Sequence, residues 1–584
     1  METYIFVKKA SKEGKNDGKH GYMAIFKPID GGKSVAMTGN FPGLYPSMTI
    51  KIEFANHLVM GYEIPDSDRN RKILAKQGVN STEYFTDIKL HQKTGVLWTD
   101  IKKIKAPYDY FDWETAEVYG KMAGYDMRDS RRINALVKEV REVMRGCRKE
   151  SYEISQYVSV FVKVEDRGKF PHLPLEEVIG TLESSLFSVS RNGLVVDTEL
   201  DRAHKYNRSE IVRRTEDTKE LLPYDEIEKK LKETDSKYSH LTDEQKMAVL
   251  SLAETAPTVI TGGAGTGKTS TIKGILDMLD EFGLSKSYLL LAPTGRASQR
   301  MRETTGRDAY TIHHAVGIAE DSDYHMRNEN NPLEFSVIIV DEGSMIDDLL
   351  MCDLLKATPE TAKLYFVGDR NQLYPVGCGE PFVDFLKDGL CNSVTLCRNF
   401  RQDKQKGIGI ARNADRLLEG KDFVEDTGLI IKHIKKADVF KVIDRSGNVN
   451  VQNISPFNAL NDEINESVME TKDKINSTKY ALFEKVVAIK NTKEYNNGDI
   501  GHIRGINADG SLLIQFYQRD VCVPVDEYCN IKPAYSLTVH KCQGSEFQKV
   551  NLFVPENRSS FINTRMLYTA VTRAKEALTI YLYS

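Results

Sequence analysis

The sequence predicts an α/β chain with two parallel-sheet lobes in its C-terminal part and a small β module inserted into the second. A small β-barrel and a helical region ending in a hairpin precede them. Three observations carry this. From about residue 236, short apolar runs alternate with helical patterns, first "TVIT", "YLLLAPT", "SVIIVDE" and "KLYFVGD", then "VNVQNISP", "AYSLTVH", "KVNLFVPE" and "ALTIYLY". Such runs suit strands buried on both faces of a parallel sheet. Between the late runs, "VVAIKNTKEYNNGDIGHIRGINADGSLLIQFYQRDVCVPV" is rich in Gly and Asn turns and reads as a β insert. Residues 1–66 alternate apolar and polar side chains between Gly and Pro turns, as the short strands of a small barrel or sandwich do.

Taken in order, residues 1–66 form the β module, and its loop "KKASKEGKNDGKH" reads as solvated, with a phosphate contact as the alternative. Residues 67–130 are mixed and give no clear pattern. In 131–235, "RRINALVKEVREVMRGC" places Ile133, Leu136, Val137, Val140 and Val143 on one helix face. "LPLEEVIGTLESSLFSVSRNGLVVDTEL" follows as helix, helix and hairpin, an order that suggests a winged-helix-like module. The charged run "EDTKELLPYDEIEKKLKETDSK" reads as a surface linker helix. The lobes occupy 236–400 and 401–584, with the insert at 484–532.

A net charge of −4 over 584 residues, with 40% hydrophobic and 28% charged residues, fits a soluble globular protein. It neither demands nor excludes a nucleic acid, so any such site must come from local groups. There is no signal-peptide pattern and no run of 18 apolar residues, which predicts a cytoplasmic protein without membrane contact. Eight cysteines without a CxxC pair predict buried reduced thiols and no zinc.

The chemistry concentrates in "VITGGAGTGKTSTIKGIL", Val259 to Leu276. It fits GxxxxGK[ST], strand before and helix after. Gly262, Gly263, Ala264, Gly265, Thr266, Gly267, Lys268, Thr269 and Ser270 would wrap backbone N–H groups around a phosphate. The helix N-terminus adds its dipole. Lys268 is suited to the β/γ-phosphates and Thr269 to Mg²⁺. "FSVIIVDEGS" then supplies Asp341 for the metal and Glu342 to polarise a water. Gln372 in "YFVGDRNQL" is placed to sense a γ-phosphate, and Arg401 and Arg573 to neutralise transition-state charge.

The series "LTDEQKMAV", "GGAGTGKTS", "LAPTGRASQRM", "TIHHAVG", "VDEGSMID", "GDRNQLYPV", "FRQ", "TVHKCQGSEF" and "YTAVTRAKE" resembles superfamily 1 helicases of the RecD-like group across residues 236–584. "MTGNFPGLYP" resembles the first, OB-like barrel of the longer RecD-like proteins, and 131–215 their winged-helix-like region. Their helix-hairpin-helix element has glycines that "APYDYFDWETAEVYGKMAGY" lacks, so 67–130 reads as a degenerate form. The resemblance implies RecA-like motor lobes, an SH3-like insert and a pin-like insert at 317–334 with Tyr324 and His325 as stacking groups. It implies that Gln245 reads adenine and that Gly544 and Glu546 sit near the nucleotide. It implies a single-strand track along Thr294, Arg296, Thr311, His313, Thr538 and His540. Hydroxyl, His and Arg side chains suit phosphates and stacked bases, so binding should be sequence-tolerant. For the histidines, core packing is the other reading.

The expected activity is therefore ATP- and Mg²⁺-dependent movement on single-stranded DNA, 5′-to-3′ by resemblance, with unwinding at duplex junctions. Expected partners are single-strand-binding or repair proteins, and the expected state is a monomer. An RNA or RNA–DNA helicase and a nucleotide-switched binding module are the alternatives.

Overall fold

The computed structural model describes residues 199–584 except 234–236, 318–325, 401–406, 472–479, 491, 493, 496, 508, 517–518 and 559–560. Of the first 198 residues it describes most of 2–85 and 130–198. Arg401, Tyr324, His325 and residues 86–129 lie outside the described residues. The chain forms two compact units, Met1–Thr198 and Glu199–Ser584.

In the first unit, alternation builds six strands: β1 (Glu2–Lys9), β2 (Gly14–Asn16), β3 (Lys19–Pro28), β4 (Val35–Gly39), β5 (Thr49–Ala55) and β6 (Leu58–Glu63). β1 pairs with both β3 and β5, β5 with β6, β6 with β4 and β4 with β3, so five strands close a ring. Closure removes free sheet edges. Tyr4, Phe26, Ile50 and Ile52 point into its core. The helix Asp68–Lys76 adds Leu74 to that core. Its buried Asn70 accepts from the Thr49 N–H at 2.8 Å and donates to the Thr49 carbonyl at 2.9 Å and the Pro65 carbonyl at 2.8 Å. The start of the region at 67–130 is thus part of the barrel's packing.

The helix Ser130–Gly146 buries Leu136, Val137, Val140 and Met144, with Ile133 and Val143 partly buried, against the helix Ile154–Gly168. Beyond them stand β7 (Tyr152–Glu153), β8 (Phe187–Val189) and β9 (Leu194–Asp197) in the order β7-β9-β8. Asp197 at the sheet's end accepts two-pronged hydrogen bonds from Arg141 and Arg145. Burial works to raise its pKa, but the two guanidiniums outweigh burial and hold the carboxyl at about 2.

The second unit starts earlier than the sequence pattern implied. Helices Thr198–Glu216 and Tyr224–Lys232, read above as module end and surface linker, pack on the first lobe through Ile211, Ile227 and Leu231, with Leu222 between them. Their charged residues dominate the composition, but the buried face of each decides its place; on the first, Asn207 and Arg214 join Ala203 and Ile211 and donate to the Asp348, Pro359 and Thr358 carbonyls.

The first lobe has β10 (Thr258–Gly262), β11 (Tyr288–Ala292), β12 (Ala309–Thr311), β13 (Val337–Val340), β14 (Lys363–Gly368) and β15 (Asn392–Leu396). All run parallel in the order β12-β11-β13-β14-β10-β15. The second lobe opens with β16 (Leu429–Ile434) and β17 (Val451–Ser455). The chain then leaves for β18 (Lys485–Ala488), β19 (Ile500–Ile506), β20 (Leu512–Phe516), β21 (Arg519–Val523) and β22 (Ile531–Pro533), an antiparallel sheet with its own core. It returns as β23 (Ser536–Thr538), β24 (Phe547–Pro555) and β25 (Ala574–Tyr583), giving the parallel order β16-β25-β24-β17-β23. Among the described residues no helix is long and apolar enough to cross a membrane. Cys352, Cys378 and Cys542 are buried as expected, whereas Cys147, Cys397, Cys522 and Cys529 are exposed.

Candidate functional site

In both parallel sheets the loops that follow the strands carry the polar residues singled out above, and the two sets meet. β10 ends at Gly262, and the chain turns through Gly265 and Gly267, whose φ angles are 85° and 86°. That left-handed backbone costs glycine little and other residues more. A Cβ on Gly267 would also stand 2.4 Å from Gln245 Nε2 and 3.1 Å from the Phe400 ring. Gly267 caps the helix Lys268–Glu281, so free N–H groups point out of its first turn. Lys268 Nζ donates to the Gly262 carbonyl at 2.7 Å and the Gly263 carbonyl at 3.0 Å.

This loop borders a cavity of about 590 Å³. The first lobe lines it with Ala264, Gly265, Gly267, Lys268, Thr269, Ser270, Asp341, Glu342 and Gln372, and the second with Gly544, Glu546, Arg573 and Lys575. Asp341 and Glu342 follow β13. Burial and then the adjoining Glu342 carboxylate push the Asp341 carboxyl up to about 6. Glu342 holds a left-handed φ of 54°, a strain of about 1–3 kcal/mol for a residue with a Cβ. Glu342 Oε2 and Gln372 Oε1 are buried acceptors with no hydrogen-bond partner. Two such acceptors on one wall, with a phosphate-type loop beside them, suit a ligand or water that brings donors. The donor set also fits a Mg²⁺ ion, which takes hydroxyl and carboxylate oxygens.

Arg573 ends the turn between the helix Thr564–Val571 and β25 and is 3% exposed. Its Nε donates to the Thr569 carbonyl at 2.9 Å, Nη1 to the Ser545 carbonyl at 3.0 Å and Nη2 to Thr572 Oγ1 at 3.1 Å. Gln245 lies behind the loop instead of on the cavity wall. Its Oε1 accepts from the Thr242 N–H at 3.0 Å and its Nε2 donates to the Gly267 carbonyl at 3.2 Å. Gly262, Gly263 and Thr266 also sit off this wall.

The track residues are more dispersed. Thr294 and Thr311 cap helices, accepting from the Ala297 and His314 N–H groups, each at 3.2 Å. His313 and His314 are exposed, which removes the core reading for both, and His314 stacks on Tyr310 with centroids 5.4 Å apart. His540 is half-buried. Arg296 is engaged inside the molecule: it donates to the Gly498 carbonyl of the insert at 3.4 Å and lies over the Phe547 ring. Thr538 borders a second cavity of about 550 Å³ with Lys532 and Lys541 on its rim.

Residues 245–378 match the AAA domain family and residues 533–581 the UvrD-like helicase C-terminal domain. The RecBCD enzyme subunit RecD of Buchnera aphidicola is 27% identical over 434 residues, covering 58% of this chain and 71% of that protein. The ATP-dependent RecD2 DNA helicase of Deinococcus radiodurans is 30% identical over 359 residues. By these matches the chain is similar to RecD-like superfamily 1 helicases. It spans 48% of the length of the Deinococcus protein. Among solved structures, Pif1 helicase from Bacteroides in complex with ADP-AlF3 and ssDNA aligns with a TM-score of 0.41 and 19% identity, over 58% of this chain and 92% of that one.

The cavity has a further residue that sequence reasoning missed. Arg300, on the helix Gly295–Thr305, reaches from the first lobe to the second, donating to Glu546 Oε2 at 2.6 Å and the Gly544 carbonyl at 3.3 Å. The available signal was its spacing in "TGRASQRM", one turn after Arg296 on a helix starting at a strand end. Lys575 adds a second cation to Glu546 at 3.1 Å.

Proposed function

We propose that this chain hydrolyses ATP to move along single-stranded DNA, 5′-to-3′, and to open duplex DNA ahead of it. One observation carries the reading: Lys268, Asp341, Glu342 and Gln372 from one lobe share a cavity with Arg573 from the other. In this reading the loop amides and Lys268 bind the triphosphate. Glu342 takes a proton from the attacking water, with Gln372 beside the γ-phosphate. Arg573 and Arg401 neutralise charge as the terminal phosphoryl group leaves. Thr269 and Asp341 would hold Mg²⁺, which supplies charge neutralisation between the phosphates. Gln245, with one amide N–H left beyond the Gly267 carbonyl, reads the adenine edge. Because the cavity walls come from different lobes, nucleotide binding and release change the gap between them, and that change is the stroke.

The DNA track would follow Thr294, Thr311, His313, Thr538 and His540 across the strand ends of both sheets, with Arg296 joining it only when the lobes separate. The barrel acts as an OB-like module, residues 131–197 as a winged-helix-like module, and β18–β22 as an SH3-like module. They would guide single strands and junctions, with single-strand-binding or repair proteins as cytoplasmic partners of a monomer. The direction rests on resemblance alone. Forked duplexes with only a 5′ tail or only a 3′ tail test the proposal: unwinding from the 5′ tail is expected. Unwinding from the 3′ tail overturns the direction. ATPase stimulation by RNA in preference to DNA overturns the polymer, and tight ATP-dependent binding without strand displacement leaves a switch.

A further inference from the structure

The turn that carries Gln372 and the helix that leads to Arg573 belong to different lobes, yet they are joined by buried hydrogen bonds. The turn is shaped by Asp369, 1% exposed, whose Oδ1 accepts from the Asn371 N–H at 3.0 Å and whose carbonyl accepts from the Gln372 N–H at 3.2 Å. Two residues of the helix Thr564–Val571 hold it. Tyr568 donates its hydroxyl to Asp369 Oδ2 at 2.8 Å, with both groups buried. Thr569 Oγ1 accepts from the N–H of Leu373, the residue after Gln372, at 2.9 Å. The Leu373 side chain packs in the second lobe's core beside Met566, Leu567 and Tyr568.

The same two residues touch the other parts of the site. The Thr569 carbonyl accepts from Arg573 Nε at 2.9 Å. The Tyr568 hydroxyl lies against the phosphate loop, where a Cβ on Gly263 would come within 3.1 Å of it. A path of bonded groups therefore runs from Gln372 through Leu373 and Thr569 to the guanidinium. Tyr568, bonded to Asp369, also lies in contact with the phosphate loop at Gly263.

We infer that Thr569 and Tyr568 are positioning residues that hold Gln372 and Arg573 in one register; the inference rests on the ATPase reading above. The argument is geometric. Groups borne on separate lobes act on one reacting phosphate only if their separation is set to a few tenths of an ångström. Lobe packing alone leaves sliding freedom. A main-chain N–H next to one group, bonded to the side chain of a residue whose main-chain carbonyl holds the other, removes that freedom where it matters. Phosphate contact by Lys268 does not pass through this path, so nucleotide affinity should be spared.

The test is single-strand-stimulated ATP hydrolysis by Thr569→Val, which keeps shape and loses the acceptor, by Thr569→Ser, which keeps the acceptor, and by Tyr568→Phe. Thr569→Val should lower kcat about tenfold or more with KM for ATP within about threefold, Tyr568→Phe should lower it less, and Thr569→Ser should stay near wild type. Adding Thr569→Val to Gln372→Ala should cost little beyond Gln372→Ala alone, because one works through the other. Full kcat in both Thr569→Val and Tyr568→Phe overturns the inference. So does a loss that multiplies with that of Gln372→Ala, which marks plain lobe packing. If Thr569→Val does not fold, the Tyr568→Phe and Gln372→Ala pair decides by the same rule. A wild-type chain that does not hydrolyse ATP sinks the underlying reading and the inference together. Wild-type turnover with unaffected variants sinks the inference alone.

Discussion

The two lobes face one cavity with different means. The first contributes backbone amides, a lysine and two adjoining buried carboxylates, all at the ends of β10, β13 and β14. The second contributes Arg573, held by main-chain carbonyls after a helix end, and Lys575 at the start of β25 beside Glu546. On the proposed reading, the first wall is the anion cradle and the second supplies the neutralising charge. If that division is right, damage to the first wall abolishes binding and chemistry together, and damage to the second spares binding.

Lys268→Ala should bring hydrolysis to background and weaken ATP binding strongly, while leaving single-strand affinity largely intact; steady-state ATPase and DNA titration check this. Arg573→Ala should lower kcat about 10³-fold and leave KM for ATP nearly unchanged. A large rise in KM with kcat kept would erase the contrast between the walls. The track sharpens it further. In the first lobe, Tyr310 and His314 form an exposed stacked pair, and loss of one base-stacking platform costs about 1–3 kcal/mol. Tyr310→Ala should thus weaken single-strand affinity about tenfold. In the second lobe, Thr538 offers a hydroxyl that already accepts from the Lys541 N–H, so Thr538→Ala should cost about threefold. Equal losses by fluorescence anisotropy would argue against stacking in the first lobe.

The same contrast explains what could be read from the chain. The phosphate loop is contiguous, and its glycines, lysine and flanking apolar runs are local features, so Gly262 to Ser270 stand out at once. β13 and β14 are fully buried, and their apolar runs mark Asp341 and Gln372 by position. β12, β15 and β16 escape notice because they stand at sheet edges, and β16 has the pattern "LIIKHI" with half its side chains exposed. The helix Tyr224–Lys232 is hidden by its charges, since Ile227 and Leu231 are too few to signal burial. Arg300 and Thr569 gain their place only from contacts across the lobes, more than 190 residues away in the chain. Arg296 looked like an exposed cation for DNA, and nothing local announces that Phe547 lies under it.

The first wall should also leave a trace in stability. Asp341 has an ordinary carboxyl pKa of 3.8 in the unfolded chain and about 6 in the folded one, raised by burial and by Glu342. Between those values the folded state holds the proton more tightly, so stability falls as pH rises through the window and stays lowered above it. Asp341→Asn removes that penalty because the amide carries no charge to bury. Without nucleotide or Mg²⁺, the variant should therefore melt a few degrees above wild type at pH 7, and the gap should close by pH 4. With ATP and Mg²⁺ present the order should invert, because ligand binding stabilises only the form that can hold the metal. Thermal melts across that pH range check the sign. A gap between variant and wild type that does not change with pH would mean that Asp341 keeps its charge cheaply in the folded chain. The first wall would then be no strained cradle, and the contrast between the lobes would rest on geometry alone.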